Sequence, residues 1–271
     1  MMAGVLPPPG WHAQESLYFY TGDASVVVAE GRILRNLHLD QPFQITVLSQ
    51  VTKAKLWGSD YAWGVSVPFL EPDLTAQIVT PAGSVSRSQR ASALGDSVII
   101  PLMLGWHNGR SHQKTSIAVY LPTGKYDLED VANTSLNRWA LEFDYAYTFL
   151  DPKTRWEFDV APGYTSNGQN PETDYTSGQE FHVDSAVLRH LSHGWAVGAV
   201  GYALIQTTPD KGTGALLGSF EGRAYALGPI ATYSTTLGRE PIVLTGKYYQ
   251  ELDVSNRVKG HSFWLSIIAA F

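Results

Sequence analysis

Twelve stretches in which apolar and polar residues alternate run through the chain, and the connections between them are alternately short and long up to Phe271. Alternation with period 2 marks β-strands whose two faces meet different surroundings. The stretches fall near residues 15–29, 43–56, 60–69, 97–107, 112–121, 138–150, 154–163, 178–190, 194–206, 219–235, 241–252 and 260–271. The even-numbered connections are turn formers: Trp57-Gly58-Ser59, Asn108-Gly109-Arg110-Ser111, Asp151-Pro152-Lys153, Leu191-Ser192-His193 and Thr236-Leu237-Gly238-Arg239-Glu240. Such sequences suit tight hairpins. The odd-numbered connections, around 30–42, 70–96, 122–137, 164–177, 207–218 and 253–259, are longer. A closed up-and-down barrel in an outer membrane sorts its connections this way, whereas a soluble sandwich has no reason to. The expected fold is all-β, a twelve-stranded antiparallel transmembrane β-barrel over residues 15–271. An even strand number puts both termini at the short-turn rim, expected to be periplasmic, and six long loops outside the cell.

The alternation also says which face meets lipid. In the sixth stretch Trp139, Leu141, Phe143, Tyr145, Tyr147 and Phe149 share one face, opposite Glu142, Asp144 and Thr148. The seventh sets Trp156, Phe158 and Val160 against Glu157 and Asp159, and the eighth sets Phe181, Val183 and Val187 against Glu180, His182 and Asp184. Carboxylates facing lipid are costly, so the polar faces point inward. Glu142, Asp144, Glu157, Asp159, Glu180, His182 and Asp184 are expected to form an acidic luminal wall. Lys114, Arg223 and Lys247 are the candidate luminal cations, with Tyr249 and Glu251 beside the last. A wholly acidic lumen is electrostatically unfavourable, so cross-lumen ion pairs are expected. These groups either line a solute path or brace and solvate the interior.

Trp57, Tyr61, Trp63, Trp106, Phe149, Trp156, Trp195 and Phe271 lie within a few residues of a short turn or the C-terminus. A ring of amphipathic aromatics at one rim is what a membrane interface selects. With only 16% charged residues and a mean hydropathy of −0.11, the chain has no apolar run approaching the ~18–20 residues of a spanning helix. Each stretch instead has about the ~9–11 residues a tilted strand needs to cross. A net charge of −6 gives no support for nucleic-acid binding.

Zero cysteines exclude disulfides and thiolate metal sites. His107, His112, His182, His190 and His193 show no metal-motif spacing, and no cofactor or metal is expected. Ser166-Asn167-Gly168 superficially resembles the site of an outer-membrane phospholipase, but no His base lies near it. His261 and Ser262 are adjacent and would point to opposite faces of a strand. A nucleophile needs its base within hydrogen-bond reach, so no catalytic residues are assigned.

Residues 1–14 differ from the rest, since Leu6-Pro7-Pro8-Pro9-Gly10 is stiff, extended and short of ladder donors. Two readings stay open: a lead-in without fixed structure, or a plug of Leu6, Pro7, Pro8 and Pro9 folded into the lumen. No signal peptide precedes Met1-Met2-Ala3 although a barrel must be exported, so the chain is expected to be a processed or recombinant form. Pro68 and Pro101 fall on the neighbouring third and fourth stretches, and each removes a ladder donor. With the long 70–96 connection they mark either a gap in the wall or ordinary strand ends and bulges.

The segments Met2-Ala3-Gly4-Val5-Leu6-Pro7-Pro8-Pro9-Gly10, Pro101-Leu102-Met103-Leu104-Gly105-Trp106-His107 and Tyr120-Leu121-Pro122-Thr123-Gly124-Lys125-Tyr126-Asp127, followed by Thr173-Asp174-Tyr175-Thr176-Ser177-Gly178-Gln179-Glu180-Phe181-His182 and Ala226-Leu227-Gly228-Pro229, resemble the phenol meta-pathway-associated outer-membrane channel family. The resemblance runs in order along nearly the whole chain. It implies a monomeric twelve-stranded barrel in the outer membrane of Gram-negative bacteria, in contact with its lipids, and a small hydrophobic or aromatic solute as cargo. The expected function is passive uptake of such compounds, with lateral exit through the wall. The alternative is a pore-less structural or adhesive barrel that binds a partner through its long external loops.

Overall fold

The computed structural model describes residues 2–29, 31–80, 82–218, 220–238 and 240–271. Twelve strands close an antiparallel barrel: β1 (Gly10–Ala29), β2 (Arg32–Leu56), β3 (Ser59–Leu70), β4 (Val98–Asn108), β5 (Ser111–Tyr120), β6 (Ala140–Asp151), β7 (Trp156–Asn167), β8 (Glu180–His190), β9 (Trp195–Gln206), β10 (Arg223–Leu237), β11 (Glu240–Ser255) and β12 (Lys259–Ala270). Each strand pairs with its sequence neighbours, and β1 closes on β12 with Glu15 opposite Ile267 and Asp23 opposite Lys259. This is the expected architecture. The turn between β2 and β3 shows why two residues suffice, since Trp57 and Gly58 both take positive φ, 50° and 80°. Two positive φ values make the tight turn whose twist matches its flanking strands.

The long-loop rim departs from expectation. The connection expected at 30–42 is largely strand, because β1 and β2 pair outward until Ala29 lies opposite Arg32. At 20 and 25 residues they exceed the ~9–11 needed to cross a membrane, so the hairpin stands above the rim. Polar Asn36, His38 and Asp40 hide this extension in the sequence, and Asn36 takes a positive φ where the ladder changes register. The 70–96 connection contributes a hairpin, Asp73–Thr80 with Gly83–Arg90, that pairs along the extension with Leu39 opposite Leu74 and Leu34 opposite Ile78. Glu30 and Arg239, within the connections expected at 30–42 and Thr236 to Glu240, lie outside the described residues.

A small core forms where this tower meets the 121–139 connection: Val27, Leu34, Leu37, Leu74, Ala76 and Ala132 are buried together. Each buried leucine contributes about 1.5–3 kcal/mol. Gln89 fastens the connection, its side-chain oxygen accepting the Val131 and Ala132 N–H groups at 2.7 and 3.1 Å. The tower and the connection thus roof part of the barrel mouth.

Within the barrel the polarity is inverted relative to a soluble protein. Leu141, Phe143 and Phe158 are 51, 55 and 45% exposed on the outer face, while Glu157 and Asp159 are 0 and 5% exposed on the inner one. Trp57, Trp106, Trp156, Trp195 and Phe271 are exposed at the short-turn rim. Trp195 packs on Tyr233 at 4.8 Å, and the Arg189 guanidinium lies 5.4 Å from the Trp156 ring centre. Rings of this kind anchor a barrel at headgroup level.

Candidate functional site: the vestibule and the luminal wall

Alternation on β1, β9 and β11 turns Tyr18, Tyr20, Tyr202 and Glu251 inward, where they line a cavity of about 710 Å³ in the long-loop half of the barrel. The Glu251 carboxylate accepts the Tyr202 hydroxyl at 2.7 Å, the Tyr20 hydroxyl at 3.1 Å and the Gly260 N–H at 2.5 Å. Tyr18 packs against Phe43 and Trp264, with ring centres 4.2 and 4.5 Å away. The cavity therefore offers aromatic faces for an apolar body and a few fixed polar groups for orientation, the usual composition of a small-molecule site. Sequence reasoning missed Tyr18, Phe43, Tyr20 and Tyr202. The available signal was Trp264, which sits on the serine-bearing face of the last stretch.

The expected acidic wall is brought together on β6, β7 and β8. Gly163 lies opposite both Asp144 and His182, so these two side chains converge over a residue without one. His182 Nε2 is 3.8 Å from Glu142 Oε1 and 3.8 Å from Asp144 Oδ1, and Nδ1 is 3.8 Å from Asp184 Oδ2. Glu180 is ion-paired with Arg257, which enters from the β11–β12 connection and lines the cavity. Lys114 lies within electrostatic reach of Asp144, and Lys247 within reach of Asp184 and Asp159. Tyr249 is buried with Leu188, Val200 and Ile230 in an apolar cluster on the inner wall of β8–β11.

Arg223 is a correction, because the structure places it outside the lumen. It alternates with buried Ala224, shares the outer face with Leu227, 58% exposed, and pairs with Asp253 at 3.3 Å. The luminal face of β10 is the small-residue face, Ala224, Ala226 and Gly228, because bulky Tyr202 and Tyr249 from the flanking strands occupy the space in front of it. The sequence of β10, with small residues on one face and no carboxylate on either, gave no sign of this.

Residues 2–9 run along the inner wall at the short-turn end, from β7 round to β2. The Met2 N–H donates to Glu157 Oε1 at 2.6 Å, the Ala3 N–H to Asp159 Oδ1 at 3.0 Å and the Gly4 N–H to Thr148 Oγ1 at 2.9 Å. Further along, Leu6 is buried against Val51, Ala62 and Met103 on β2, β3 and β4. Pro8 offers its carbonyl to the His12 ring at 2.9 Å, and β1 begins at Gly10. A strand-poor sequence thus supplies backbone N–H groups to β6 and β7 and one apolar anchor to β2, β3 and β4. Side chains could not replace Gly4 here, since a Cβ would stand 2.5 Å from the His112 carbonyl oxygen.

The wall at Pro68 and Pro101 is interrupted but paired. The β3–β4 ladder shifts register between Ala62 and Gly64, and the β4–β5 ladder shifts between Ile99 and Leu102, so Pro101 sits in a bulge with irregular pairing on both sides. Beyond Ser66 opposite Val98 the ladder lapses until Phe69 meets Leu94, with the Pro68 carbonyl accepting the Gly95 N–H at 2.8 Å. Pro162 and Pro229 also break ladders, at the gaps between the Val160 and Gly163 pairs and between the Leu227 and Ile230 pairs. Those two gaps keep register, whereas the seam at Pro101 does not.

Comparisons with known proteins agree with this geometry. The structure superposes on an outer membrane channel from Pseudomonas putida F1 with a TM-score of 0.72 at 15% identity, covering 100% of this chain and 98% of that one. A Pseudomonas aeruginosa FadL homologue gives a TM-score of 0.48 at 9% identity over 97% of this chain and 90% of its own. The β domain of the Bordetella autotransporter BrkA gives 0.49 at 11% identity over 97 and 100%. None of the curated proteins compared by sequence matches the chain. The family model described as the putative MetA-pathway of phenol degradation matches residues 19–267, so a chain with the fold of an outer-membrane channel belongs to that family.

Proposed function

We propose that the protein is a monomeric outer-membrane channel for passive uptake of small, largely apolar solutes, aromatic compounds among them, which leave through the barrel wall. The observation that carries this reading is the contrast between the two ends of one lumen. The long-loop half holds the tyrosine-lined cavity, and the short-turn half is narrowed by residues 2–9 along β2–β7 and by Leu188 and Val200 on β8 and β9. In this reading Leu6, Pro7, Pro8 and Pro9 plug the axial route, both termini and the short turns are periplasmic, and the irregular β3–β4 seam is the exit. An apolar solute gains by entering lipid directly, because crossing the aqueous periplasm forfeits roughly 25 cal/mol per Å² of its apolar surface.

The test locks the seam. Val65 and Ile99 are direct cross-strand partners, and the chain has no cysteine to compete with an engineered V65C/I99C disulfide. Uptake of labelled phenol and naphthalene is measured in cells with an intact lipopolysaccharide leaflet, with the lock oxidised and reduced. Oxidation is expected to stop uptake and reduction to restore it. Uptake unaffected by the lock overturns lateral exit. Uptake equal with and without the wild-type protein overturns transport and favours the structural or adhesive barrel.

A further inference from the structure

We propose that Glu142, Asp144 and His182 form a binding site for one divalent transition-metal ion on the luminal wall, an assignment independent of which solute the channel admits. The donor atoms lie in one group, each within 4.8 Å of the others. They come from two strands that do not pair with each other, β6 and β8, and they meet over β7 because Gly163 leaves the intervening position empty. A Cβ at Gly163 would stand 2.3 Å from His182 Nε2 and 2.5 Å from Asp144 Oδ1. The glycine has ordinary extended backbone, so the reason for it is space.

Each ligand is also oriented from behind. Glu142 uses Oε2 to accept the Thr165 hydroxyl at 2.6 Å and the Tyr120 hydroxyl at 3.1 Å, and turns Oε1 towards His182. Asp144 uses Oδ2 to accept the Ser116 hydroxyl at 3.3 Å and turns Oδ1 to the same place. Asp184 stands on the Nδ1 side of His182, leaving Nε2 to face the two carboxylates. Carboxylates behind an imidazole and hydroxyls behind a carboxylate are the outer contacts that fix metal ligands.

Nε2 lies 3.8 Å from both carboxylate oxygens, a separation that leaves room for an ion between them. Two ligands each about 2.1 Å from a shared ion stand roughly 3 to 4 Å apart. One imidazole with two carboxylates suits Zn²⁺ or Co²⁺ better than Mg²⁺ or Ca²⁺, which favour all-oxygen sets. His182 lines the vestibule, so a ligand position not taken by the protein would face the solute.

The experiment uses the full-length protein in detergent, stripped with chelator, and titrated with Co²⁺ by visible absorption and with Zn²⁺ by calorimetry. One ion per chain is expected, with a Co²⁺ band that Zn²⁺ abolishes. Removing a ligand in His182→Ala, or crowding the site in Gly163→Ala, is expected to weaken binding by about tenfold or more. The competing candidate is the pair His107 and His112, whose Nδ1 atoms are 2.9 Å apart near a short turn; His107→Ala/His112→Ala is expected to leave the titration unchanged. Absence of binding to the wild type, insensitivity to His182→Ala, or loss on mutating His107 and His112 instead overturns the site. Heat-modified mobility on gels verifies that each variant is a folded barrel, and Glu142→Gln/Asp144→Asn replaces any that is not. Transport assays take no part in the readout, so the site and the uptake reading fail separately.

Discussion

His190 Nε2 lies 2.6 Å from Glu157 Oε2, while the other oxygen of the same carboxylate accepts the Met2 N–H at 2.6 Å. A wholly buried glutamate therefore joins the barrel wall to the N-terminal segment. Glu157→Ala leaves the Met2 N–H and the His190 ring short of a partner, at a cost of about 1–3 kcal/mol for an unsatisfied buried group. Because the loss falls on the contact between segment and wall, the segment is expected to detach in part while the barrel persists. Planar-bilayer recordings should show flickering, larger conductance than wild type, and deletion of residues 2–9 should give steady conductance. Unchanged conductance in the deletion would exclude a plugging role.

The tower above the rim depends on its own small core. Leu34 and Leu74 are 4 and 8% exposed and pack together with Val27, Leu37 and Ala132. Leu34→Ala is expected to destabilise the tower by about 2–5 kcal/mol without unfolding the barrel, whose hydrogen bonds it does not touch. Limited proteolysis should then cut within 73–90 and 121–139 while a protected barrel core remains. Cleavage spread through the strands would contradict this separation.

Acid should loosen the loops in a defined window. Asp174, in the β7–β8 connection, accepts the Thr213 hydroxyl and, at 2.9 Å, the Thr213 N–H, tying that connection to the β9–β10 connection. The Thr213 hydroxyl above all, then its N–H, holds the Asp174 carboxyl below the ordinary carboxylate range. A carboxyl lowered in the folded state stabilises it fully above the unfolded value, about 3.9, and that stabilisation is lost as pH falls through the folded value. Protection factors of residues 211–215, corrected for the intrinsic pH dependence of amide exchange, should be flat from neutral pH to about 5 and fall only below about 4, and Asp174→Asn should abolish the transition. Loss of protection between pH 5 and 7 would point to a histidine instead.

The barrel, its strand number and its acidic wall are legible in the sequence because the lipid face is written in large residues. Leu141, Phe143, Phe158 and Phe181 alternate with carboxylates, and one misplaced residue would put a charge in lipid. The same physics fails at β10, where Ala224, Ala226 and Gly228 form the inner face and Leu227 the outer, and Arg223 is misplaced as a result. It fails again above the membrane, where β2 continues past Pro42 with polar residues on both faces because neither face meets lipid. The vestibule tyrosines were missed for a different reason. Tyr18 and Tyr20 suit either face of a strand, and only the closure of β1 on β12 brings Tyr18 against Trp264.

The sign of the vestibule's field gives the last prediction. Glu251 is satisfied by the neutral hydroxyls of Tyr20 and Tyr202 and by the Gly260 N–H, which stabilise the carboxylate without cancelling its charge. At the cavity wall, Arg257 neutralises Glu180. An anionic solute about 8 Å from one uncompensated carboxylate, at an effective dielectric constant near 20, is disfavoured by about 2 kcal/mol. Neutral phenol is therefore expected to compete for entry at least about tenfold better than benzoate, since 1.4 kcal/mol corresponds to a factor of ten. In the variant lacking residues 2–9, the reversal potential in a salt gradient should report cation preference, and adding Arg257→Gln, which releases Glu180, should increase it. Anion preference in that variant would mean that Lys114 and Lys247, rather than the carboxylates, set the field.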